Sequence, residues 1–211
     1  MNKWYLIAAL WSGAALAVHP DFLQAYLDGS EQALAAEQLA QRSDWFDCSE
    51  ADSPQTWCSE SFYYYATQVM YASTVSDETK VRVQTAQRQP NNESEKENIV
   101  PTALILHVDY SDYNWSQLQL GLRSDGFSLL TVQAGQQHFD VRQRLNQQTL
   151  QQVDRDLVLF IHQTAGQFPK TLLWQTRSAL AELQSDGKNI ELRFTPVPES
   201  RLWDDAAGTQ P

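Results

Sequence analysis

The chain has 211 residues, 42% of them hydrophobic, and sets 15 basic side chains against 26 acidic ones for a net charge of −11. That length can bury a real core without relying on cross-links, and a single domain of ordinary size accommodates it. The negative field excludes nucleic acid and anionic membrane surfaces as natural partners, because both present phosphate and no Lys/Arg cluster offsets the excess.

The N-terminus carries an address. Lys3 supplies a positive start, Tyr5 to Ala17 form a short apolar run, and Ala15-Leu16-Ala17 is a small-x-small cleavage site. The pattern predicts a secretory signal peptide over residues 1–17, with the mature chain starting near Val18. A membrane anchor needs roughly 20 apolar residues, and His19-Pro20-Asp21 cut this run short. Loss of Lys3 leaves 14 basic residues against 26 acidic ones, a net −12. The expected location is periplasmic or secreted, and so short a leader points to a bacterial envelope.

Residues 18–60 read as a helical N-terminal segment followed by a cysteine loop. Pro20 suits a helix start, and Phe22, Leu23, Tyr26 and Leu27 recur at helical spacing. Asp28-Gly29-Ser30 interrupts, after which Ala33, Leu34, Leu39 and Ala40 continue the pattern. Cys48 and Cys58, the chain's two cysteines, enclose a polar stretch containing Pro54. In an exported chain an even count reads as a disulfide. A redox pair usually places two residues between its thiols, and no further Cys completes a zinc site.

Residues 61–198 read as an α+β domain. Ser61 to Thr74 is aromatic and β-branched, which favours a strand. Val81 to Thr85 alternates as its hairpin partner, and residues 87–98 lose every apolar side chain, as an exposed loop does. From 102 to 142 the spacing predicts an antiparallel meander. Its expected strands are Thr102–Tyr110, Gln117–Arg123 with Leu118, Leu120 and Leu122 alternating, Phe127–Gln133, and Gln137–Arg142. Asn146 is expected to cap a short helix, and Leu157 to His162 fits helix or strand. Leu172, Leu173, Thr176, Leu180 and Leu183 form a helical stripe that Asp186-Gly187 ends, and Asn189 to Thr195 alternates as a last strand. Residues 199–211 read as a flexible tail. The fold class expected is therefore α+β, an antiparallel sheet with helices packed on one face.

Three chemistries merit weighing. His107-Val108-Asp109 and His138-Phe139-Asp140 are two H-x-D pairs; residues two apart in a strand share a face, so adjacent strands could assemble a divalent-metal site. Against this, His107, Asp109, His138 and Asp140 also fit the wet side of a half-buried sheet, which needs no function. A Ser–His–Asp hydrolase can be composed on paper, yet no G-x-S-x-G elbow or S-x-x-K motif supplies the local context. The third reading is recognition. Tyr110, Tyr113, Asn114 and Trp115 combine polar and aromatic character in what reads as a connection between strands, where binding residues gather.

The sequence thus points to an exported, non-catalytic binding or accessory protein with no cofactor, taking a protein or carbohydrate ligand of the cell envelope. The runner-up is a periplasmic hydrolase built on His107 or His138 with a neighbouring Asp.

Overall fold

A computed structural model of the chain describes residues 20–28, 30–51, 55–76 and 101–197. The leader expected over 1–17, the strand over 81–85, the loop over 87–98 and the tail over 199–211 lie outside these residues.

The N-terminal helical stretch resolves into α1 (Asp21–Leu27), a 3-10 turn (Glu31–Leu34) and α2 (Ala36–Leu39). Short strands follow: β1 (Trp45–Asp47), β2 (Trp57–Ser59), β3 (Phe62–Tyr64), β4 (Thr67–Val69) and β5 (Tyr71–Val75). Then come β6 (Ala103–Asp109), α3 (Asp112–Ser124), β7 (Ser128–Ala134), β8 (Gln137–Asp140), α4 (Val141–Leu145) and α5 (Leu150–Gln163). The described chain ends on β9 (Lys170–Gln175), β10 (Ala179–Ser185) and β11 (Asn189–Pro196).

Nine strands form one antiparallel sheet in the order β1-β2-β5-β6-β11-β10-β9-β7-β8, and β3 pairs with β4 in a small second sheet. The fold is α+β, as the sequence predicts. Strand alternation divides the large sheet into two unlike faces. One row runs Ala72, Leu106, Leu192, Leu183, Leu172, Val132, Phe139 through successive register partners. Every member is buried. The neighbouring row, on the other face, runs Tyr71, His107, Glu191, Gln184, Thr171, Gln133, His138, and none of these is fully buried.

The helices cover the apolar face. Phe22, Leu23 and Tyr26 of α1, Leu118 and Leu122 of α3 and Val153 of α5 join the inward strand residues in one core cluster. Each fully buried leucine there contributes about 1.5–3 kcal/mol relative to exposure. Tyr26 donates its hydroxyl hydrogen bond to the Phe194 carbonyl at 3.3 Å, which ties α1 to β11.

Several expected elements are corrected: the strand read over Ser61 to Thr74 is three short ones, and that over Gln137–Arg142 ends at Asp140, whose side chain caps α4. Residues 117–123 are helix α3, not a strand of the meander. Leu118 and Leu122 are buried while Leu120 is 51% exposed, so the true period is helical and the alternation coincidental. Ser111 caps the helix, its side chain accepting the Asn114 amide at 3.0 Å. In the sheet order β6 and β7 lie four places apart with three antiparallel strands between them, so they point the same way and α3 is their crossover. The helical stripe read over 169–183 is instead the hairpin β9–β10. Ala179 and Ala181 disguised it: Ala181 stands opposite both Trp174 and Phe194, small against large, so the inward alternation carries little hydrophobic signal. The ambiguous 157–162 run is helix α5. Its N-cap is Thr149, whose amide donates to Gln152 Oε1 at 3.0 Å, and not the expected Asn146, which instead ends α4.

Candidate binding site

The face of the sheet opposite the helices, uncovered in that no described helix packs on it, carries a groove of about 910 Å³ at its β2–β5–β6 end, lined by Phe46, Met70, Tyr71, Ser73, His107 and both cysteines. The disulfide forms its wall. Cys48 and Cys58 are bonded, with Cα atoms 5.8 Å apart, and Cys58 stands opposite Phe46 on one side and Ser73 on the other. The loop that the disulfide closes is held by polar contacts: Ser49 Oγ donates to Asp47 Oδ1 at 2.6 Å and accepts the Thr56 amide at 2.8 Å.

His107 contributes the imidazole of the groove lining. It lies directly across the β5–β6 ladder from Tyr71 and across the β6–β11 ladder from Glu191. The Tyr71 ring stacks on the imidazole with centroids 4.3 Å apart and planes 17° from parallel. Ser73 Oγ is 2.9 Å from Nε2, and Glu191 Oε1 is 3.9 Å from Nδ1. Burial holds the imidazole below its ordinary pKa, against the pull of Glu191 and with the help of Arg193. This favours the neutral form of the ring.

Around this stack the groove mixes apolar surface with acid. Phe46, Met70 and Tyr71 are 52%, 37% and 39% exposed, which is unusual for large apolar side chains gathered in one concavity. Glu50 and Glu60 also line it, and among the described residues no lysine or arginine does. The arrangement suits an apolar or aromatic group carrying positive charge.

The residues expected to form a binding loop are placed differently. Tyr110 precedes the cap of α3, and Tyr113, Asn114 and Trp115 form its first turn rather than a connection between strands. The Tyr110 hydroxyl donates to Asp112 Oδ1 at 2.8 Å, and partial burial together with this bond raises its pKa to about 12. Asn114 Nδ2 donates to the Asp109 carbonyl at 3.0 Å. Trp115 packs against the core, while Tyr113 projects 58% exposed. Three of the four thus serve the start of a helix.

The two H-x-D pairs do not meet. His107 and His138 share the uncovered face and even one row, but β6 and β8 stand five strand steps apart, about 24 Å at ordinary strand spacing. Asp140 is occupied as the N-cap of α4, accepting the Gln143 amide at 2.7 Å. Among the described residues, no three His, Cys, Asp or Glu side chains cluster as a metal site requires.

Sequence reasoning singled out His107 but missed its partners, because Ser73 and Glu191 lie on strands distant in the chain. A signal was present in the alternation of Tyr71 and Ser73 against Ala72 and Thr74, which puts a ring and a hydroxyl on one face. No family model, curated protein or solved structure matches the chain. Among the described residues, no helix is long and apolar enough to cross a membrane.

Proposed function

We propose that the protein is an exported, non-catalytic binding component of a bacterial envelope, and that its ligand seats on the uncovered sheet face against Tyr71, His107, Phe46 and Met70. The leader-like N-terminus and the disulfide support a location outside the cytosol. The observation that carries the reading is the concave gathering of exposed apolar side chains beside a stacked imidazole. Carboxylates in the lining, in a chain of net charge −11, favour a protein segment bearing aromatic and basic side chains over a neutral sugar.

Calorimetric titration with short synthetic peptides mixing Trp or Leu with Arg tests this directly. Saturable binding that weakens with salt and disappears in Tyr71→Ala is the expected result. Equal binding by peptides carrying Glu in place of Arg, or binding untouched by Tyr71→Ala, would refute it.

The Ser73–His107 contact favours one second reading. A serine hydroxyl 2.9 Å from an imidazole, with a carboxylate beyond the ring, is the first element of a nucleophilic site. Covalent labelling of Ser73 by a fluorophosphonate, absent in His107→Gln, would promote that reading above the first. The binding reading predicts no adduct.

A further inference from the structure

The uncovered sheet face is not the molecule's one displayed apolar surface. Helix α5 places Leu157, Val158, Leu159, Phe160 and Ile161 in succession, so its second half is apolar all round. A helix of that kind is buried on more than one side. Here Val153, Leu157 and Phe160 face the core, with the Phe160 ring 5.4 Å from Phe139. Leu150, Val158, Leu159 and Ile161 are exposed at 63%, 66%, 52% and 43%. At 100° per residue Leu150, Val158 and Ile161 fall on one stripe with Asp154, flanked by His162, and Leu159 widens the apolar surface on the far side of Val158.

We infer that this stripe is the interface between two copies of the chain. Charge selects the occupant. Over β8, α4 and α5 (residues 137–163) Arg142, Arg144 and Arg155 balance Asp140, Asp154 and Asp156, so the region carries no net charge within a chain of −11. A second acidic molecule is repelled elsewhere and meets no such field here. The stripe is also self-complementary. An antiparallel pair of α5 helices on a two-fold axis through Val158 sets each Asp154 against His162 of the other copy, because both lie four residues from the centre. An isologous contact of this kind closes at a dimer, with Val158 and Ile161 in its middle and the carboxylate–imidazole pairs at its ends. The interface stands on α5 alone and does not depend on the groove reading.

Sedimentation equilibrium across the micromolar range reads the outcome. The protein is expected at twice the mass of its single chain. Val158→Asp is expected to weaken association by on the order of a hundredfold, since it buries an unpaired carboxylate at the interface centre. Its circular dichroism should hold, because Val158 is exposed in the single chain, and its melting temperature should fall only by what association adds to the wild type. Asp154→Lys should weaken the dimer, and adding His162→Asp should restore it. A wild-type protein at single-chain mass would overturn the inference, whether another segment of the chain or a different protein covers α5. So would a Val158→Asp dimer of undiminished strength, or a charge exchange that fails to rescue.

Discussion

The two faces of the nine-stranded sheet are built from the same strands, one residue out of step, and do opposite work. On the covered face Leu106, Leu192 and Leu183 stand in register under three helices and are fully buried. On the other, their neighbours His107, Glu191 and Gln184 meet solvent or the groove. Packing holds the first face, whereas a disulfide, a stacked pair and side-chain hydrogen bonds shape the second. The lesson is that stability and the proposed recognition are separable here by strand parity, since a side-chain step of one residue changes face.

Substitutions sharpen that contrast, and the covered face should be hurt most. Phe194→Ala removes a fully buried ring touched by Tyr64 and Phe127, and should cost about 3–5 kcal/mol in denaturant unfolding. Reduction of Cys48–Cys58 comes next. Closing a loop of this length contributes a little under ~3 kcal/mol in the chain-entropy account, so reductant should lower the melting temperature while far-ultraviolet circular dichroism holds. Unchanged melting would break the claim that the groove wall is covalently braced.

Gly121→Ala probes the covered face at a tighter point. A Cβ on Gly121 would meet Tyr65 Cδ2 at 2.6 Å and Tyr64 Cε1 at 3.0 Å. Neither ring moves freely: both hydroxyls donate to the two carboxylate oxygens of Asp125 at the end of α3. Overpacking of this kind should cost about 1–3 kcal/mol.

The groove side should show a pH signature instead. The folded state holds His107 below its ordinary pKa, so the unfolded chain binds that proton first as pH falls. The contribution is complete above the ordinary histidine pKa and is lost as pH drops through the lowered, folded value. The melting temperature should therefore decline from about pH 7 toward pH 5, and His107→Gln should flatten that part of the profile. Smallest in stability is Phe46→Ala, expected within about 0.5 kcal/mol because the ring is surface-exposed, yet it should weaken ligand binding.

Much of this architecture is legible in the chain, and the failures have physical causes. The Ala134-Gly135 turn between β7 and β8 follows from local chemistry, with Gly135 at φ 56° where other residues are strained. The pairing of Cys48 with Cys58 follows from count and context. Helix α3 was obscured because Leu118 and Leu122, four apart on one helical face, also read as alternation once Leu120 stands between them, and the Ser111 cap decides for the helix. The β9–β10 hairpin was obscured because alanine supplies its inward positions opposite Trp174 and Phe194. The groove was least legible of all. His107 acquires its meaning from Tyr71, Ser73 and Glu191, and strand pairing over long separations brings those three together.

Met70 offers the most direct test of the recognition surface, since Met1 and Met70 are the chain's two methionines and Met70 lines the groove. With methyl-13C methionine, the Met70 signal should shift saturably when Trp/Arg peptides are added, and should stay still in Tyr71→Ala. A Met70 methyl that ignores bound peptide would contradict the account, because the ligand would then sit away from the uncovered face.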